Sequence, residues 1–233
     1  MNIEIWSDIV CPWCYIGKRR FEEALRNFAH REDVTVIWRS FELDPHAPPV
    51  RPGDLATNLA RKYGMDREGA RRAIEHMTAQ AAGEGLAYDL EHARGGNTFD
   101  AHRLLHLAAE RGIQDQVKEA FLAAYHVDGV AIGDRAALAG VAVDAGLAAA
   151  DVDAVLNGDA FAEAVRADED EAGELGIGGV PFFVIDRRFA VSGAQPADVI
   201  LSALDRAWQK AHPLTFVGST APAEGCEDGS CAV

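Results

Sequence analysis

Four cysteines carry the reactive sulfur of this 233-residue chain, and they stand in two pairs. Cys11 and Cys14 form a C-x-x-C pair, and Cys226 and Cys231 a C-x4-C pair near the end of the sequence. A thiol reacts as its thiolate, and an ordinary cysteine with a pKa of about 8.5 holds little thiolate at neutral pH. The unpaired N–H groups and positive dipole end of a helix N-terminus favour negative sulfur. Two intervening residues put Cys11 and Cys14 on one helical turn, within bonding reach of each other. Such a pair can exchange disulfides. Cys11, at the exposed edge before the helix proper, attacks a substrate disulfide; Cys14, partly buried by the first turn, resolves the mixed disulfide. Half of a zinc site and plain packing are the other uses of this spacing. In the tail, Gly229 within Cys226-Glu227-Asp228-Gly229-Ser230-Cys231 permits a turn that closes a small disulfide ring. That pair reads as a second redox couple exchanging electrons with the first, as free thiols, or as part of a four-sulfur zinc site made by both pairs.

The elements around these sulfurs follow from pattern. Asn2 to Ser7 alternates apolar and polar residues and reads as a strand; Asp8-Ile9-Val10 connects it to a helix beginning near Cys11 or Pro12. A proline is at home in a first helical turn, where its missing N–H would be unsatisfied anyway. Val34-Thr35-Val36-Ile37-Trp38 is β-branched and aromatic, a second strand. From Asp54 to about Leu175 the pattern is helical, with expected helices over 54–63, 67–84, 98–111, 114–127, 135–145 and 160–175. Phe182-Phe183-Val184-Ile185 and Phe189-Ala190-Val191 make a hairpin around Asp186-Arg187-Arg188, and residues 196–210 a last helix. The order is β-α-β, a large helical insertion, then β-β-α, an α/β architecture. The expected divisions are 1–45 with 176–212 for the sheet-bearing part, 50–175 for the helical insertion, and 213–233 for a mobile tail rich in Gly, Ser, Thr, Ala and Pro.

Val180-Pro181 enters the third strand, where a proline is unwelcome in a central position. A cis bond there would leave the Val180 carbonyl and N–H free to pair with an extended peptide; a trans edge proline is the ordinary alternative. At this point the chain resembles the DsbA-like branch of the thioredoxin superfamily, most closely its FrnE-type dithiol-disulfide oxidoreductases. The phrases carrying the resemblance are Ser7-Asp8-Ile9-Val10-Cys11-Pro12-Trp13-Cys14-Tyr15-Ile16-Gly17, Phe41-Glu42-Leu43, Asn97-Thr98-Phe99-Asp100-Ala101-His102-Arg103-Leu104 and Gly178-Gly179-Val180-Pro181. The resemblance implies a thioredoxin fold with an all-helical insertion domain between the second and third strands. It also implies a redox pair at Cys11 and Cys14, and a cis-proline loop at Val180-Pro181 facing it. Trp13 stands where the DsbA oxidant carries histidine and cannot donate a charge-assisted bond, so a strongly oxidising potential is not implied. A cytosolic glutathione pool would keep the dithiol mostly reduced, which favours reductase, isomerase or oxidative-stress work over bulk disulfide formation.

The expected partners are protein or peptide disulfides, with Trp13, Val180 and Pro181 in contact with substrate. Glutathione or a thioredoxin-type reductant would donate electrons, and no cofactor beyond the redox-active disulfide is expected. Asn97, Asp100 and Arg103 share a helical face that could border the cysteines and touch substrate; a cap with surface ion pairs explains them equally. His102 and His106 are four apart without an accompanying metal motif, and no metal is expected. With 22 basic against 37 acidic residues and a net charge of −15, the chain repels phosphate backbones, so nucleic-acid binding is not expected. The run Asp168-Glu169-Asp170-Glu171 reads as a solvated helix face. No apolar run approaches the roughly 20 residues that span a bilayer. Met1-Asn2-Ile3-Glu4-Ile5 lacks the features of a secretory leader, and the expected location is cytoplasmic. A glutathione-dependent small-molecule isomerase of the 2-hydroxychromene-2-carboxylate or kappa-transferase kind, and a zinc-binding or chaperone-like module, are the competing functions. The isomerases do not need a second cysteine after the nucleophile position, so Cys14 favours the dithiol over them; stoichiometric zinc in the purified protein would support the module.

Overall fold

The strand of alternating residues at the start, β1 (Asn2–Ser7), lies inside the sheet and is buried on both faces from Ile3 onward. The computed structural model describes residues 1–213, so Cys226 and Cys231 fall outside the described residues. After β1 come α1 (Pro12–Asn27) and β2 (Thr35–Ser40). The helical insertion follows as α2 (Leu55–Tyr63), α3 (Arg67–Gly83), α4 (Phe99–Glu110), α5 (Gln114–His126), α6 (Arg135–Asp144), α7 (Ala149–Asn157) and α8 (Ala162–Glu174). The chain closes with β3 (Phe182–Ile185), β4 (Phe189–Ser192) and α9 (Ala197–Ala211). Among the described residues the strands form one sheet ordered β2-β1-β3-β4. β1 runs parallel to β2, with Ile5 opposite Trp38, and antiparallel to β3, with Ile5 opposite Phe183. This is the thioredoxin fold with a helical insertion between its second and third strands.

Aspartates start helices where the sequence places them: Asp54, Asp66 and Asp134 accept hydrogen bonds from the N–H groups of Thr57, Gly69 and Ala137. One helix was not expected. The N-cap of α7 is Ala148, which has no capping side chain, so the usual sequence signal for a start is missing although Val152, Val155 and Leu156 are buried.

Two apolar cores meet at α1. Beneath the sheet, Ile3, Ile5, Phe21, Phe28, Phe183, Ile200 and Leu204 pack β1 and β3 against α1 and α9. The second core fills the insertion with Leu104, Phe121, Leu122, Leu138 and Val152, and it continues without a break into Ile9, Tyr15 and Ile16 beside the cysteines. Each such side chain contributes roughly 1.5–3 kcal/mol on burial. The opposite sheet face is covered by α8, through Trp6, Ala172, Ile177 and Val184.

The acidic run in α8 corrects the expectation of a solvated face. Asp168 is 3% exposed, takes hydrogen bonds from Arg39 (2.9 Å) and the Ser40 N–H (2.8 Å), and lies 3.2 Å from His106. Burial pushes its carboxyl up, but these partners outweigh that and hold it below the usual range. Glu169 accepts from the Glu42 N–H, and Glu171 pairs with Arg187, which also binds the buried Glu4. Asp170 alone is exposed. The run is thus a clasp between α8 and the sheet.

Candidate active site

The loop Asp8-Ile9-Val10 delivers Cys11 to the N-cap of α1, with φ −87° and ψ 111°, and Pro12 opens the helix. The Cys14 N–H donates to the Cys11 carbonyl at 3.0 Å, closing the first turn with both sulfurs on it. Both cysteines are free thiols. Cys11 is only 4% exposed, deeper than the exposed edge the sequence suggests, because the Val180 loop lies over it. Cys14 is 1% exposed. Burial pushes the Cys14 thiol well above its usual value, and the Cys11 sulfur beside it adds to this; the Lys118 ammonium and the Asp8 N–H pull the other way.

The peptide between Val180 and Pro181 is cis, and the Val180 carbonyl accepts from Cys11 Sγ at 3.4 Å. The loop seats against α1 at Gly17. A Cβ there would stand 2.8 Å from Pro181 Cγ, closer than carbon atoms pack. Gly17→Ala is therefore expected to lower stability: overpacking costs about 1–3 kcal/mol, against a helix-propensity gain of up to about 1 kcal/mol. A urea midpoint below that of the native chain is the expected reading, and a raised midpoint would show that the proline ring yields freely.

The floor and wall are polar and come largely from the insertion. Asp8 is buried; its carboxylate accepts from the N–H groups of Ile9 (2.7 Å) and Leu43 (2.8 Å) and lies 3.3 Å from Nε2 of His102 on α4. Burial raises this carboxyl, yet His102, the Leu43 N–H and the Thr98 hydroxyl together hold it below the ordinary range. Lys118 on α5 is fully buried, with Nζ 3.5 Å from the Ser7 carbonyl and 5.5 Å from the Trp38 ring centroid. The Tyr88 hydroxyl donates to the Pro12 carbonyl at 2.6 Å, and its ring stacks on His126 at 4.8 Å. Trp13 is half-buried beside His76, with ring centroids 6.1 Å apart.

Asn97, Asp100 and Arg103 are engaged elsewhere. Arg103 is 2% exposed and donates to the carbonyls of Val155, Gly158 and Ala160, tying down the end of α7. Asp100 accepts from Arg103 and Arg135, and Asn97 donates to Glu42 and to the Pro45 carbonyl. Of the two readings of this face, the contacts are those of the cap and ion pairs, and they hold the insertion together. Its neighbour His102 instead reaches Asp8, in the loop that leads to the cysteines. His106 meets Ser40 and Asp168, and no cluster of three metal-ligating side chains occurs among the described residues. Asp8 and His102 stand inside the recognised phrases, but by sequence Asp8 reads only as part of a connection and His102 only as a metal ligand that is set aside. Lys118 gave no signal, since a lysine in a helix ordinarily faces water.

A strand, a C-x-x-C turn opening the next helix, and a cis-proline loop set over the first sulfur define a thioredoxin-fold protein with a dithiol site. A family model described as the DSBA-like thioredoxin domain matches residues 2–205, and the chain belongs to that family. It is 50% identical to a probable DsbA oxidoreductase from Streptomyces coelicolor, over 100% of this chain and 99% of that one, with a TM-score of 0.87. The cytosolic disulfide reductase DsbM from Pseudomonas aeruginosa, solved with GSH, shares the fold at 18% identity and TM-score 0.59, over 90% of this chain and 100% of that one. Among curated proteins, the uncharacterised YwbO of Bacillus subtilis is 45% identical over 49 residues, 21% of this chain; the match spans 22% of that relative's length.

Proposed function

We propose that this chain is a FrnE-type thiol-disulfide oxidoreductase acting on protein or peptide disulfides in the cytoplasm. The observation that carries the reading is the reach of the two sulfurs: both lie on one turn at a helix N-terminus, with the Val180 carbonyl 3.4 Å from Cys11 Sγ. The Cys11 thiolate attacks one sulfur of a substrate disulfide; a Cys11–substrate bond forms and the other substrate sulfur leaves as a thiolate. Cys14 then loses its proton and attacks Cys11, closing the Cys11–Cys14 disulfide and releasing the second substrate thiolate. Two electrons have passed to the substrate. Two glutathione molecules, oxidised to their disulfide, or a thioredoxin-type dithiol restore the reduced pair. The reverse sequence oxidises, and a mixed disulfide released before Cys14 acts permits isomerisation. Substrate backbone would pair at Val180-Pro181 beside Trp13. Cys226 and Cys231 would act as a second couple trading electrons with the first, which suits work under oxidative stress.

The glutathione-bound DsbM of the same fold supports glutathione as the donor. No helix among the described residues is long and apolar enough to cross a membrane. A glutathione redox titration with mass mapping of all four thiols tests the reading. A reversible two-electron transition at Cys11–Cys14 is expected, with a matching one at Cys226–Cys231 if the relay operates. A glutathione adduct at Cys11 that Cys14 never displaces would overturn the reading in favour of glutathione-dependent isomerase chemistry.

A further inference from the structure

Two lysines are buried among the described residues, and their surroundings are opposite. Lys18 on α1, 2% exposed, is ringed by the carboxylates of Glu22, Asp115 and Glu119. Lys118 on α5 is 0% exposed, and among the described residues no carboxylate lies within ion-pair distance of it. Its hydrogen bond to the Ser7 carbonyl, at 3.5 Å, is at the limit of such contacts. An ammonium held in this way costs stability that a methionine of similar length would not. A buried cation without a carboxylate partner, set beside a reactive pair, marks a candidate functional group.

The end of β1 and the loop after it show where that charge acts. The Ser7 carbonyl accepts from Lys118, and the next carbonyl, that of Asp8, accepts from the Cys11 N–H at 3.4 Å, so Lys118 sits one peptide away from the turn that carries both sulfurs; its charge, like the Asp8 N–H, favours the Cys14 thiolate. The groups acting on Lys118 are Cys14, Asp8 and Cys11, which favour its charge, and Lys18, which opposes it; His126 in turn feels the charge of Lys118. Burial is the largest influence and brings the ammonium down to about 8, so it is still mostly charged at neutral pH.

We propose that Lys118 is a positioning residue for the resolving step, supplying from the insertion the buried positive charge that stabilises the Cys14 thiolate. The proposal rests on the dithiol reading above. In the step concerned, the Cys14 thiol gives its proton to solvent, its sulfur bonds to Cys11, and the bond between Cys11 and the substrate sulfur breaks with that sulfur leaving as a thiolate. The nearby cation lowers the cost of the first event, where burial alone makes Cys14 reluctant to ionise.

Ellman's reagent separates the two attacks when it reacts with the full-length chain carrying Cys226→Ser and Cys231→Ser. The first equivalent of thionitrobenzoate reports Cys11, and the second reports closure by Cys14. In this background Lys118→Met is expected to slow the second phase about tenfold or more and to move its pH midpoint up by about one unit or more. Its melting temperature should rise by about 2–4 °C, since a stranded charge is removed. Lys118→Gln should reproduce the slow second phase should the Met variant fold poorly, and Lys118→Arg should restore it. A second phase unchanged in rate and pH profile in the Met and Gln variants overturns the counter-charge while leaving the dithiol reading intact. A parent chain that releases only one equivalent overturns the dithiol reading, and the counter-charge with it.

Discussion

Cys14→Ser will stop turnover with the substrate still attached to Cys11, and Cys11→Ser will leave no adduct at all. The two variants differ because the sulfurs have different surroundings. Cys11 is the N-cap of α1 and lies against the Val180 carbonyl at the mouth of the site. Cys14 is within the first turn, and its burial keeps it a thiol until a mixed disulfide is presented. Reduction of a small disulfide-bonded protein by glutathione, followed alongside non-reducing mass spectrometry, checks both. Activity should fall to the uncatalysed rate in each variant, with a stable Cys11 adduct only in Cys14→Ser. Sustained turnover by Cys14→Ser would sink the dithiol mechanism.

The second large effect is a loss of stability in mild acid, traced to His126. Its Nδ1 lies 2.9 Å from the Leu122 carbonyl and so must carry the proton, while Nε2 has no partner among the described residues. The ring is enclosed by Tyr88 and, edge-on, by Tyr125. Burial pushes the imidazole down to about 4 from an ordinary 6.5, with Lys118 acting in the same direction and the Leu122 carbonyl and Asp8 opposing. A histidine whose folded pKa lies below its unfolded one is protonated first in the unfolded chain. Its contribution is therefore complete above pH 6.5 and drains away as pH falls toward 4, about 3 kcal/mol in all. At lower pH the carboxylates follow. Glu119, held down to about 2 by Arg19, Tyr15 and Lys18 against the upward push of burial, contributes above its ordinary 4.5 and loses that contribution as pH drops through 2. Urea midpoints at pH 7 and pH 4.5 should differ by much less in His126→Phe than in the native chain. Equal differences would place the acid sensitivity elsewhere.

The sequence revealed most of the fold because the signals are local: alternation in Asn2–Ser7, β-branching before Trp38, aspartate caps at 54, 66 and 134. It missed α7, whose first residue has no capping group, and it read Asp168 as surface because nothing local shows Arg39, Ser40 and His106 converging on it. The dithiol and its proline loop were legible as a spacing and a resemblance. The polar floor was not. Asp8, His102 and Lys118 are separated by up to 110 residues, and only the packing of α4 and α5 against the end of β1 brings them together. Helical periodicity offered Arg103 either to substrate or to surface ion pairs. That periodicity identifies a shared face, and here the face looks inward, toward the carbonyls of α7.

The continuity of the insertion core into Ile9, Tyr15 and Ile16 bears on how this molecule can come apart. A protease cutting the exposed stretch around Gly53 would sever the backbone without freeing a piece. The helical block would stay bound to the sheet by the same side chains that brace the Cys-Pro-Trp-Cys turn, as a nicked but assembled molecule. Loss of the block and loss of the thiol geometry would then be a single event.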